Sequence, residues 1–253
     1  MQRKSVYIYQ KDNWPHFTWN TELLISLLSE ARNLQGRLIG KMELLGFDLR
    51  NEALLDTLTL DVVKSSEIEG EILNQDQVRS SIARKLGLDI AGSVDSDRNV
   101  DGVVEMMLDA THNCFKPLTE DRLFDWHAAL FPAGRSGMYK IRVADWRKDT
   151  TGPMQVVSGA IGKEKVHFQA PDSGLVDNEM LRFLNWFNSD DKTDLVIKAA
   201  IAHLWFVTIH PFEDGNGRIT RALSDMILAR ADKSNQRFYS MSTQIRKERK
   251  GYY

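Results

Sequence analysis

Twelve consecutive residues, 210–221, carry the side chains best suited to chemistry: His-Pro-Phe-Glu-Asp-Gly-Asn-Gly-Arg-Ile-Thr-Arg. Pro211 cannot continue a helix, so the apolar run 199–209 must end with His210 at its tip. Gly215, Asn216 and Gly217 form a tight loop, and Asn216 suits the cap of a following helix. A glycine-rich loop entering a helix aims several backbone N–H groups at one point, where the helix dipole also favours an anion. Arg218 and Arg221 are three residues apart, hence on one face of that helix near its start. Two guanidiniums beside such a nest of amides describe a polyphosphate site. Asp214 could hold Mg²⁺ (or Mn²⁺) against the phosphates, since magnesium needs only one or two protein carboxylates there. His210 is the natural proton acceptor, because a histidine ordinarily titrates close to neutrality.

Each of these features has an ordinary structural use. A histidine at a helix end, a Gly-Asn-Gly turn and two arginines at helical spacing are common and mostly inert. Their coincidence in one loop-helix unit is what points to phosphate chemistry. His203, beside Trp205 and Phe206, reads instead as core packing.

The elements that must position this segment are helical. Leu23, Leu24, Leu27, Leu28, Ala31, Leu34 and Leu38 recur at three- and four-residue steps, which predicts a helix over 21–45. Asn51 is placed to cap a second helix running to a stop at Gly70. Further patterns predict helices over 75–86, 100–113, 120–130, 178–187, 194–209 and 217–231, and 239 onward stays helix-compatible. The exception is 137–171, rich in glycine and β-branched residues, where two short strands joined near 159–165 would form a hairpin. The fold class is therefore all-α with one small β flap.

Of the 253 residues, 42% are hydrophobic and 27% charged, an ordinary globular balance. The net charge of -2 gives no electrostatic case for nucleic acid. Cys114 is the single cysteine, which excludes an internal disulfide and a thiolate metal cluster. The basic start MQRKSVYIYQ has no apolar run behind it, so it is no secretory signal, and the most apolar stretch is too short for a bilayer. A cytoplasmic setting is expected. Gly, Ser and Asp cluster over 87–97, which divides the chain into 1–95 and 96–253. The terminal RKERKGYY lacks a cap or breaker, as if a helix were cut there.

The segment 210–221 matches at every position the signature of the Fic family, His-Pro-Phe-x-Asp/Glu-Gly-Asn-Gly-Arg-x-x-Arg. The resemblance implies a helical Fic core, from about residue 120 onward, and transfer of AMP from ATP to a hydroxyl side chain of a target protein, this chain included. By the same resemblance His210 is the base and Asp214 holds the metal. Gly215, Asn216, Gly217, Arg218, Ile219, Thr220 and Arg221 form the phosphate-binding turn. The hairpin resembles the family flap, so Val157, Ser158, Gly159 and Ala160 would line the nucleotide, and Tyr252 resembles the aromatic bordering adenine. Upstream, Ser65-Ser66-Glu67-Ile68-Glu69-Gly70 fits the family's inhibitory pattern. Its spacing puts Ser65 and Glu69 on one helical face. Alone it would be a capped helix end; beside the Fic signature, Glu69 is expected to reach Arg221 and take the place of the γ-phosphate. Trp14, Phe17 and Trp19 read as an aromatic anchor in a segment resembling an N-terminal domain found before bacterial Fic cores. Such proteins usually continue past the core into a winged-helix-like region.

Three other readings stand beside this one. A metal hydrolase on His210 and Asp214 lacks a second histidine at ligand spacing. A nucleotide-binding interaction protein would not need His210. Removal of AMP from targets on the same fold is not separable from its addition by sequence.

Overall fold

A computed structural model describes residues 6–150, 152–158 and 165–252. Its helices are α1 (Thr21–Glu43), α2 (Phe47–Ile68), α3 (Gln75–Leu86), α4 (Arg98–His112) and α5 (Glu120–Leu130), then α6 (Val176–Phe187), α7 (Leu195–Ile209), α8 (Asn216–Asp232), α9 (Met241–Lys247) and α10 (Arg249–Tyr252). Between α5 and α6 lie two antiparallel pairs, β1 (Arg135–Ser136) with β2 (Tyr139–Lys140), and β3 (Gln155–Ser158) with β4 (Lys165–Gln169). The all-α class with a small hairpin flap is what the molecule has.

Side-chain caps set most helix starts. Asn20, Asn74, Asp97, Thr119, Asp194 and Ser240 each accept a backbone N–H of the first turn. The expected cap at Asn51 is wrong: α2 begins at Phe47 after the extended Gly46, and Asn51 lies a turn inside it. Helix α2 ends, as read, before a left-handed Gly70. The C-terminal stretch breaks at Glu248 into two short helices.

Helix α8 is buried on nearly every side, the mark of an element at the centre of a bundle. Helices α7, α4, α2, α5 and α9 surround it. One core joins Leu55, Leu58 and Val62 of α2 to Met107 of α4, Phe206 of α7 and Leu223 of α8. Helices α4 and α5 touch at Gly102, where a Cβ would fall 1.8 Å from the Ala129 carbonyl oxygen. Asp61 of α2, buried, accepts from the Ser242 N–H at 3.1 Å and from the Ser240 hydroxyl, so it ties α2 to the start of α9.

The N-terminal arm spans the other side. Tyr7 and Tyr9 pack edge-on against Phe168 of β4, and Trp14 and Phe17 lie against Trp205 of α7. Trp19 is the more exposed member of that anchor, at 41%, and lines one pocket with Phe17 and Trp205. No helix among the described residues is long and apolar enough to cross a membrane.

Candidate active site

Helix α7 ends on His210 in a left-handed conformation, φ 53° and ψ 59°, uncommon for a residue with a side chain. Its Nδ1 lies 3.3 Å from the Val207 carbonyl, which can only accept, so Nδ1 carries the proton and Nε2 is the basic nitrogen. Burial pushes the His210 pKa down, so the ring is neutral at pH 7.

The turn after His210 is held from both sides. Phe212 is fully buried and stacks on His127 with ring centroids 4.1 Å apart. The Ala144 N–H donates to His127 Nδ1 at 3.2 Å, so His127 Nε2–H donates to the Asp214 carbonyl at 3.2 Å. Arg147, also buried, donates from Nε to the His210 carbonyl at 2.7 Å and from its backbone to the Pro211 carbonyl at 2.9 Å. Asn216 does not cap α8. Its amide instead closes the turn on itself, accepting from Phe212 N–H at 3.0 Å and donating to Phe212 C=O at 2.8 Å. Gly215 takes the helix-cap position at φ 79°, where a Cβ would meet the Phe131 ring at 2.8 Å.

Asp214 accepts the Gly215 N–H at 2.6 Å and the Ser136 hydroxyl. The described residues hold no group of three or more His, Cys, Asp or Glu able to grip a metal by themselves. One partly buried carboxylate beside an anion nest fits an ion such as Mg²⁺ that a polyphosphate and water help to hold.

Arg221 is 2% exposed. It donates to the Ser65 hydroxyl and carbonyl, both at 2.9 Å, and pairs with Glu69 at 2.8 Å. Glu69 also lies over the start of α8: a Cβ on Gly217 would fall 2.1 Å from its Oε1. Arg218 turns elsewhere, to Glu71 at 2.7 Å and over the Phe131 ring. It does not line the cavity where Glu69, His210 and Arg221 meet.

That cavity, about 670 Å³, is a groove between α7 and α8. Val196, Ala200, His203, Val207 and His210 line it from α7, and Gly217, Thr220, Arg221, Ser224 and Leu228 from α8. These are three- and four-residue steps along two helices, so the groove runs roughly 20 Å. Its charged end is at His210 and Arg221, and its apolar end at Val196 and Leu228. Tyr252 closes one side. Ile219 is fully buried in the core, which leaves only its main chain for a ligand. On the flap the lining side chain is Val156; Val157 and Ser158 are exposed strand residues, and Gly159 and Ala160 lie outside the described residues. His203 is a correction to its reading as core packing: it faces the groove.

Residues 117–228 match the family model of the Fic/DOC family, and 7–88 match a domain of unknown function, DUF4172. Residues 117–228 are thus a Fic/DOC family segment. Two solved structures share its fold. A Fic-domain-containing signalling protein from Bacteroides thetaiotaomicron aligns with a TM-score of 0.62 at 19% identity, covering 87% of this chain and 78% of that one. A Fic family protein from Desulfovibrio desulfuricans aligns at 0.62 and 24%, covering 94% and 66%. A probable protein adenylyltransferase of Aquifex aeolicus is 41% identical over 61 residues, 24% of this chain and 19% of that protein. The protein adenylyltransferase Fic of Drosophila melanogaster is 50% identical over 54 residues, 21% of this chain and 11% of that protein. The matches thus span a fifth or less of these curated relatives. Within the Fic segment, His127 and Arg147 escape sequence reading, because their partners lie 87 and 63 residues away and no local pattern marks them.

Proposed function

We propose that this chain is a protein adenylyltransferase held in check by its own α2. Nε2 of His210 takes the proton of a target side-chain hydroxyl. The freed oxygen bonds to the α-phosphorus of ATP, the bond to the bridging oxygen breaks, and pyrophosphate leaves. Asp214 would hold Mg²⁺ or Mn²⁺, which supplies positive charge against the departing diphosphate. Arg221, together with the amides at Gly215, Asn216 and Gly217, would bind the phosphates. Residues 1–95 would form the regulatory domain and 96–253 the catalytic one. The setting is the cytoplasm, which suits the free buried thiol of Cys114.

The observation that carries this reading is the carboxylate of Glu69, on Arg221 and against Gly217. A negative group seated at a helix start, beside a neutral histidine base, stands where a phosphate would be drawn. Like charges a few ångströms apart repel strongly in a partly desolvated site, so Glu69 would exclude or misalign the nucleotide's terminal phosphate.

The test is incorporation of labelled AMP into a cell lysate and into the chain itself, with Mg²⁺ and ATP. Glu69→Gly should raise incorporation by roughly an order of magnitude or more, since removing the repulsion also frees Arg221. Adding His210→Ala should abolish that gain. Equal incorporation by the parent and Glu69→Gly would remove the brake, and none by either would remove the transferase reading.

A further inference from the structure

We propose that His203 selects the base of the bound nucleotide, by fixing the Tyr252 hydroxyl as an acceptor toward the groove and so favouring a base with an exocyclic amino group. This rests on the groove being a nucleotide site.

The argument follows one line of hydrogen bonds. The Thr220 carbonyl on α8 can only accept, and the Ser224 hydroxyl lies 3.1 Å from it, so Ser224 donates its single proton there. Ser224 Oγ is also 3.0 Å from Nδ1 of His203. With its proton committed to Thr220, that oxygen can only accept, which places the imidazole proton on Nδ1. Nε2 of His203 is then a bare lone pair. The Tyr252 hydroxyl sits on Nε2 and must donate to it. A phenol has one proton, so what Tyr252 offers any further partner is oxygen lone pairs alone.

The direction holds only while His203 stays neutral, since the charged ring would donate from both nitrogens. Burial foremost, and the nearby Arg221 charge second, push its pKa down to about 4. The two rings meet edge to face, and Tyr252, His203 and Ser224 all line the groove. His203 lies seven residues from His210 along α7, about 10 Å from the charged end. Around this polar trio the wall is apolar, with Ala200, Leu204, Leu228 and Ile245. Hydrogen-bond direction is therefore the means by which this wall can tell one flat ring from another. A wall that accepts suits the 6-amino group of adenine. The 6-oxo group of hypoxanthine or guanine would bring lone pair against lone pair, an unpaired contact in a partly dry site.

ATP and inosine triphosphate are the probes, since they share sugar, phosphates and ring shape and differ at position 6 and the N1 proton. Binding to the full chain would be measured by calorimetry with Mg²⁺, in the parent and in a Glu69→Gly background. The expected preference for ATP is at least about tenfold. His203→Leu releases the Tyr252 proton to donate, and should narrow the preference to within about threefold, chiefly by improved binding of inosine triphosphate. Ser224→Ala, a smaller change, removes the group that holds the tautomer and should move the ratio the same way. In the parent, the ¹⁵N shifts of the His203 ring should report protonation at Nδ1. Nucleotide binding with an unaltered ratio in both variants, or a ring protonated at Nε2, overturns the inference alone. Binding of neither nucleotide in either background overturns the nucleotide site itself, and this inference with it.

Discussion

His210 joins two properties a general base needs: a proton fixed on Nδ1 by the Val207 carbonyl, and a pKa lowered by burial. The basic form therefore persists as pH falls through the ordinary histidine range, and the acid limb of AMP transfer should lie below it. A pH profile of labelled-AMP incorporation by Glu69→Gly would check this; an acid limb above pH 7 would not fit. His210→Ala should lower transfer about 10²–10⁴-fold with nucleotide affinity by calorimetry largely kept. His210 and the tight turn at 215–217 were legible in the sequence because their spacing is local. The partners that orient them were not. His127 and Arg147 act across folded distance, and His203 has helical neighbours that look like core in one dimension and line a groove in three.

Helix boundaries show the same divide between elements. Helices α3 and α5 were read to the residue from their periodicity, and Asn74 and Thr119 cap them in the fold. Helix α2 starts just after Gly46, which has no side chain to announce anything, and Asn51 drew the reading inward. Glycines inside helices make the sharper test. At Gly102 a methyl would strike the Ala129 carbonyl, so Gly102→Ala should cost about 1–3 kcal/mol by forcing α4 from α5. Gly36 in α1 has nothing within 4 Å of its missing Cβ, so Gly36→Ala should instead stabilise by up to about 1 kcal/mol through helix propensity. Thermal melts of the two variants should move in opposite directions, and a fall in both would contradict the open space at Gly36.

For the whole molecule, acid should be the first stress to tell. His127 is fully buried, and desolvation, the largest cause, lowers its pKa from 6.5 to about 4. The unfolded chain then takes up that proton first, so stability present above pH 6.5 drains away as pH falls toward 4. The loss from this residue is roughly 3 kcal/mol when complete. Urea midpoints between pH 7 and 4 should fall steeply for the parent and less so for His127→Gln; parallel slopes would reject the assignment.

The ion pair on Arg221 also has a consequence in time. Ser65 and Arg221 are 156 residues apart, and the chain is made from its N-terminus. At about 5–20 residues per second, Ser65 is added roughly 8–30 seconds before Arg221. When Arg221 and Gly217 first arrive, the carboxylate that will cover them is already waiting. A newly made molecule thus passes through no stage in which the turn at 215–217 exists without Glu69 in the same chain, and the restraint proposed for Glu69 would be in place from the start.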